Sequence, residues 1–329
     1  VGILGSSSEP TAFDHHEIFE REHGLSMVSI FIMFSPDREI QLDYTIRCLE
    51  AMQGYENCQK VLVCDGKPRL VPRDFTPIVV PRINGKFSWS NMWEAGVATA
   101  KHDIVWYLDS DRLLPPEYLS LIKKLISDDV FIFSSHHYFV LKDMSLQVLQ
   151  DLLPRDDFLL DERSLAAFRY EPRFADPPPG PGKNVMSGNT AFTKSTFYRL
   201  NGVDPWYCGH GAFADTDFHM TAKVGGCKFV DTKVNEFHYH HNKQHDEKVL
   251  SDKELIKLSL YNFIYYLLKW NMPLTYAEYY ALQSELTRKF VKDTAKELSQ
   301  KVSSCPPVSP LTESRSAGLP NVFRANDDK

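Results

Sequence analysis

The chain has 329 residues, 37 basic and 43 acidic side chains, a formal charge of −6 and 43% hydrophobic residues. That composition supports one large or two small globular domains with a sizeable core, and it argues against a largely disordered chain. It also lacks the overall positive charge of a nucleic-acid binder, and no apolar run reaches the roughly 18–20 residues that span a bilayer. Residues 1–25 read as a polar lead-in with no signal-peptide core, so a cytoplasmic location is expected. Cys48, Cys58, Cys64, Cys208, Cys227 and Cys305 form no CxxC pair and read as reduced thiols.

Val28 to Phe34 (VSIFIMF) is continuously apolar, which suits a strand buried on both faces of a parallel sheet. Asp43 to Met52 has helical spacing. Lys60 to Cys64 is a second buried strand, ended by Asp65-Gly66, and Pro77 to Val80 a short third. A helix is predicted over Ser90 to Ala100, with Ser88 or Ser90 as N-cap. Ile104 to Leu108 (IVWYL) is another buried strand, followed by Asp109-Ser110-Asp111, a helix over Pro115 to Ser127 and a strand over Val130 to Ser134. This alternation predicts an α/β fold with a mostly parallel central sheet flanked by helices. Residues 142–170 read as two helical pieces broken at Pro154, and 171–183 as a Pro- and Gly-rich lid. Helices are expected again over 251–303, interrupted near Asn271 to Pro273, and a disordered tail from 304 to 329. No internal repeat is present.

In an open α/β sheet, ligands sit outside the carboxyl ends of the strands. Three polar turns fall there: Ser35 to Arg38, Asp65-Gly66 and Asp109 to Asp111. Two carboxylates two residues apart at the end of a buried strand can hold a hard divalent cation, Mg2+ or Mn2+, which commonly also binds substrate phosphates. The same aspartates also suit a solvated, helix-capping loop. The aromatic Tyr261 to Trp270 suits packed core or a subunit contact.

The order of VSIFIMF-SPDR, VLVCDG, WSNMWEAGVATAKHDIVWYLDSD and MSGNTAF…NGVDPWYCGHGAFADTDF resembles the GT-A glycosyltransferases, of the broad family-2 type with a galactosyltransferase-like C-terminal half. The resemblance covers roughly residues 27–242. It implies a GT-A catalytic domain over 26–250, with a nucleotide-binding half to about 135 and a sugar and acceptor half from about 136, then a helical extension over 251–303. It further implies that the chain moves a hexosyl or N-acetylhexosaminyl group from a nucleotide-sugar, with UDP favoured, to a hydroxyl acceptor such as a glycan or small molecule.

On that resemblance, Arg38, Asp65, Asn91, Asp109, Gly188 and Asn189 would bind the nucleotide and donor. Asp65 would accept a hydrogen bond from the base. Asp109 and Asp111 would form the metal and diphosphate motif, joined by His238 or His241 around Mn2+ or Mg2+. Asp215 would be the general base of an inverting transfer, and Trp206 and Asp217 would face the acceptor. Ala214 stands where the family has Glu, which keeps a weakened, carbohydrate-binding relative open. A retaining transferase is the other alternative. Arg112 and Lys243 could meet diphosphate charge, with solvated side chains as the default reading. A homo-oligomer through the C-terminal helices is expected to be possible, and no nucleic-acid partner is expected.

Overall fold

A computed structural model of the chain describes residues 27–36, 38–82, 88–134, 136–140, 169–170, 188–207, 213–232, 234, 236–239, 252–275, 277–278 and 288–302. The expected lead-in, the lid at 171–183 and the tail at 304–329 lie outside the described residues, as does the helical stretch expected over 142–170 up to residue 168; its last two residues, Arg169 and Tyr170, form a short strand instead, paired antiparallel with His136–Val140.

In chain order the elements are β1 (Val28–Phe34), α1 (Glu39–Glu50), β2 (Gln59–Cys64), β3 (Thr76–Val79), α2 (Trp89–Thr99), β4 (Ile104–Asp109) and β5 (Arg112–Leu113). There follow α3 (Tyr118–Leu125), β6 (Val130–Phe133), β7 (His136–Val140), β8 (Arg169–Tyr170), β9 (Asn189–Thr193) and α4 (Lys194–Arg199). The last are α5 (Ala214–Val224), β10 (Lys228–Asp231), β11 (Glu236–Tyr239), α6 (Asp252–Lys269) and α7 (Arg288–Val302).

Seven strands form the main sheet in the order β10-β6-β9-β4-β1-β2-β3. All its pairings are parallel except those of β9, which runs antiparallel to both β4 and β6. A smaller sheet of order β5-β11-β7-β8 lies beside it in sequence. The first strand sits between β2 and β4, so the strand order reverses there. Sheets of this kind open a ligand crevice at such a reversal. The β1–β4 register pairs Met33 with Asp109, so both strands end at that crevice.

The period of two in β1 divides the core. Phe31 and Met33 join Val61, Val63, Trp93, Tyr107, Phe192 and Phe218 on one face, together with Tyr265, Leu267 and Leu298 from α6 and α7. Ile30, Ile32 and Phe34 join Leu42, Leu49, Leu62, Trp106, Tyr118 and Ile122 on the other, with α1 and α3. Because both faces are covered, every residue of β1 is buried, and the sequence reads as unbroken apolar rather than alternating.

Ser88 caps α2, its hydroxyl accepting from Asn91 N at 3.4 Å. Ser90, the alternative cap, is buried and donates to the carbonyl oxygens of Asp204 and Tyr207 at 2.9 and 3.2 Å. The expected break after Lys269 is present: Asn271 takes φ +51°, and Met272 N donates to Leu267 O at 2.7 Å. Cys48, Cys58, Cys64 and Cys227 are buried free thiols. Among the described residues, no helix is long and apolar enough to cross a membrane.

The turn after α4 shows how tightly the helical layer is fitted. Gly202 has φ +67°, and a Cβ there would lie 2.0 Å from Glu94 Oε1. That carboxyl accepts from Val203 N at 3.3 Å. Burial pushes the Glu94 carboxyl up to about 7, against the Val203 N–H, which favours the charged form. The folded state therefore binds more protons than the unfolded state between about pH 4.5 and 7, and stability falls as pH rises through that window. Glu94→Gln is expected to flatten this dependence and raise stability at pH 8 by about 2–3 kcal/mol, discounted for partial exposure. Urea melts of both chains from pH 4 to 9 check it.

Candidate functional site

The crevice is lined by chain turns leaving β1, β2 and β4. Arg38 N donates to Ser35 O at 2.9 Å, closing the turn after β1. The Arg38 guanidinium then reaches across, with Nη1 2.6 Å from Asp111 Oδ2. Asp65 ends β2 and is 5% exposed. Its Oδ2 accepts from Arg82 Nη2 at 2.5 Å. Its Oδ1 is buried and takes no hydrogen bond within the described structure. An acceptor left open in this way suits an N–H donor brought by a ligand.

Asp109 and Asp111 leave β4 with different surroundings. The Asp109 side chain is 27% exposed and accepts from Tyr107 OH at 2.5 Å. Desolvation, and next the charge of Asp111, hold its carboxyl above the usual range. Asp111 is buried between two arginines, its Oδ1 lying 3.7 Å from Arg112 Nε. Asn91, in the first turn of α2, is half-buried, and the bond it makes to the Ser88 cap is through its backbone.

Arg112 is the largest departure from the sequence reading. Instead of being solvated, it is 3% exposed and donates from Nη1 to Glu236 Oε1 at 3.0 Å. Glu236 also accepts from Ser134 Oγ and Asn189 Nδ2 through Oε2. Asn189 Nδ2 further donates to Ser134 Oγ at 3.2 Å, and its Oδ1 accepts from Trp106 Nε1 at 2.8 Å. The Asn189 side chain is thus engaged inside the protein by Trp106, Ser134 and Glu236, rather than presented at the rim. Gly188 was read as a point of close backbone approach. The close neighbour is Arg112: a Cβ at Gly188 would lie 2.0 Å from Nη2. Glu236 escaped the sequence reading, because one glutamate 124 residues from its arginine carries no local signal.

The second group of expected residues lies around α5. Asp215, in the first turn, is half-buried and accepts from Thr216 N at 2.8 Å. Asp217 is buried and accepts from Lys269 Nζ and Trp270 Nε1, each at 2.7 Å. Lys269 Nζ also donates to Asp204 Oδ2 at 2.7 Å. Burial works against charge on Lys269, and the two carboxylates more than offset it, so the ammonium holds its proton above its usual range. At Asp217 burial wins and raises the carboxyl, opposed by Lys269. Asp217 therefore ties α5 to the end of α6. Trp206 stacks on Tyr265 with ring centroids 5.2 Å apart, against the same helix. Ala214 is buried at the start of α5.

His238 lies on β11 directly opposite Arg112 of β5, one residue beyond Asp111. His241 and Lys243 lie outside the described residues. The aspartate pair offers hard oxygen donors of the type that Mn2+ or Mg2+ takes, and the β5–β11 register brings a histidine position beside it. Among the described residues, no group of three or more His, Cys, Asp or Glu side chains is arranged to hold a metal ion.

No protein-family model matches the chain, and no curated protein matches it in sequence. Among solved structures, GalNAc-T7 with UDP, GalNAc and Mn2+ aligns with TM-score 0.47 and 12% identity, over 87% of this chain and 59% of that one. This chain therefore spans about three fifths of that structure's length. Mannosyltransferase PcManGT from Pyrobaculum calidifontis, with GDP-Man and Mn2+, aligns with TM-score 0.46 and 11% identity, over 85% and 76% of the two chains. S. aureus TarS 1–349 with UDP-GlcNAc aligns with TM-score 0.44 and 10% identity, over 83% and 71%. Likeness at this level leaves donor, sugar and acceptor undefined. The reversal of strand order at β1, the one antiparallel strand β9 within the main sheet, and helices on both faces of that sheet give the described residues a mostly parallel, Rossmann-like α/β fold, with the helices α6 and α7 following it.

Proposed function

We propose that this chain is a glycosyltransferase that moves a hexosyl or N-acetylhexosaminyl group from a nucleotide-sugar, UDP-linked by preference, to a hydroxyl acceptor with inversion. The observation that carries this reading is the convergence of Asp65, Arg38 and the Asp109–Asp111 pair on the carboxyl ends of β2, β1 and β4 at the strand-order reversal. Asp65 Oδ1 would accept from the imide N–H of uracil while Arg82 fixes its other oxygen. Asp109, Asp111 and His238 or His241 would hold Mn2+ or Mg2+. Such an ion, when bound, supplies positive charge against the leaving diphosphate.

In this reading Asp215 receives the acceptor hydroxyl proton as that oxygen bonds to the anomeric carbon and the bond to the diphosphate oxygen breaks. A carboxylate in the first turn of α5 sits at the positive end of the helix dipole, and a carboxylate is a competent acceptor of that proton. Trp206 would offer an aromatic face to the acceptor. A nucleotide-sugar binder without turnover is the second reading. It is favoured by Ala214, whose buried methyl replaces an acceptor-binding carboxylate.

The test is thermal stabilisation by UDP, GDP, CMP and dTDP, each with and without Mn2+. A nucleotide held at about 100 times its Kd is expected to stabilise the chain by about 2.7 kcal/mol. Selective, Mn2+-dependent stabilisation by UDP, lost in Asp65→Ala and in Asp111→Ala, supports the reading. No stabilisation by any nucleotide overturns it. Release of UDP from a UDP-sugar pool in the presence of acceptor separates the transferase from the binder.

A further inference from the structure

Arg38 occupies a position in which a cation gains little from its own helix. It is the N-cap residue of α1, at the positive end of a 12-residue helix, and its side chain makes no capping bond. Its guanidinium pairs with Asp111 at 2.6 Å, with the two side chains 12% and 1% exposed. Arg112 faces the other oxygen of Asp111 but is fixed in place by Glu236 at 3.0 Å and by the backbone of Gly188. Of the two guanidiniums on Asp111, only Arg38 stands at the rim, on a turn rather than within a strand.

Charge makes the arrangement informative. Asp109, Asp111 and Glu236 are joined by Arg38 and Arg112, which leaves these five side chains at a formal −1. A divalent cation taking the place of Arg38 brings the remaining group to zero. Holding the cation and Arg38 together leaves +1, a balance suited to an arriving diphosphate. A planar guanidinium is also the side chain best shaped to grip phosphate oxygens through two parallel bonds.

We propose that Arg38 is an exchangeable internal cation: it neutralises Asp111 in the free protein and turns to the donor's diphosphate when a divalent ion takes that carboxylate oxygen. Arg38 and the metal ion thus compete for Asp111 in the absence of nucleotide and cooperate in its presence. The inference rests on the nucleotide-sugar reading above and adds an order of events to it.

The experiment measures Mn2+ binding to the full chain without nucleotide, from the electron paramagnetic resonance signal of free Mn2+. Arg38→Ala and Arg38→Gln are each expected to bind Mn2+ on the order of tenfold tighter than the parent, the worth of one charge-assisted bond. Calorimetric titration with UDP at saturating Mn2+ is expected to show weaker UDP binding to both variants by a similar factor. Arg38→Lys retains the charge and is expected to leave Mn2+ affinity near that of the parent. Circular dichroism melts establish which variants fold, and any one of the two neutral variants suffices. Unchanged or weaker Mn2+ binding in a folded neutral variant overturns the exchange, while UDP binding by the parent leaves the transferase reading standing. Tighter Mn2+ binding with unchanged UDP affinity overturns the turn toward diphosphate. A parent chain that binds neither Mn2+ nor any nucleotide overturns the transferase reading itself, and the exchange with it.

Discussion

Glu236→Ala is expected to destabilise the fold by about 3–5 kcal/mol, the cost of breaking a buried ion pair by removing one partner. Glu236 is fully buried and receives Arg112 Nη1, Ser134 Oγ and Asn189 Nδ2. Truncation removes the 3.0 Å partner of a guanidinium that is itself 3% exposed. It also takes the acceptor from the buried Ser134 hydroxyl, a loss of about 1–3 kcal/mol when such a donor is left without a partner. Glu236→Gln is expected to cost less, because the Ser134 hydroxyl can turn and accept from the new amide. The measurement is urea unfolding of the parent, Glu236→Ala, Arg112→Ala and the double variant. A double variant no less stable than Glu236→Ala alone is the expected sign of coupling. If Glu236→Ala unfolds within about 0.5 kcal/mol of the parent, as ordinary surface substitutions do, the network contributes nothing to the fold.

Gly188→Ala acts on the same network from the backbone side, and at least about 3 kcal/mol of destabilisation is expected. The φ of +83° strains any residue with a Cβ, and the added carbon would lie 2.0 Å from Arg112 Nη2 and 2.3 Å from Cζ. The guanidinium has nowhere to retreat without leaving Glu236. Nor can the peptide shift freely, because Gly188 O accepts from Asp109 N at 2.8 Å. The damage therefore passes to the carboxylate pair, and UDP-dependent stabilisation is expected to weaken along with the fold. Combining Gly188→Ala with Glu236→Ala should cost less than the sum of the two, since both disturb one guanidinium. Equal urea midpoints for Gly188→Ala and the parent would show that Arg112 is not fixed against the backbone.

These two effects lie where the sequence was least readable. Strands buried on both faces announce themselves. Val28–Phe34 was expected at its observed bounds, and the segments that became β2, β3, β4 and β6 were placed within a residue at each end, because apolar runs between polar turns have few other uses. The positions of Asp65, Asp109 and Asp111 at strand ends follow from the same pattern. What stayed hidden depends on contacts between distant segments. Arg112 looked like a surface arginine because Glu236 reaches it only through β11 pairing with β5. Asn189 looked like a ligand because Trp106 and Glu236, which bind it, are separated from it by 83 and 47 residues. Asp217 was read toward the acceptor, and Lys269 takes it from a helix beyond the resembling region. The antiparallel run of β9 was equally invisible, since a short apolar strand carries no mark of its direction.

The antiparallel strand of the main sheet has a consequence for synthesis on the ribosome. β9 inserts between β4 and β6, although both precede it in the chain. From the end of β6 at Phe133 to the end of β9 at Thr193, about 60 residues must still be translated. At roughly 5–20 residues per second, this interval lasts on the order of 3–12 s. Throughout it, β4 has β1 on one side and an open edge of Ile104-Val105-Trp106-Tyr107-Leu108 on the other. Open apolar edges are templates for pairing with other chains. The nascent polypeptide is therefore most exposed to aggregation, and most in need of a chaperone, while the centre of its sheet is still a gap.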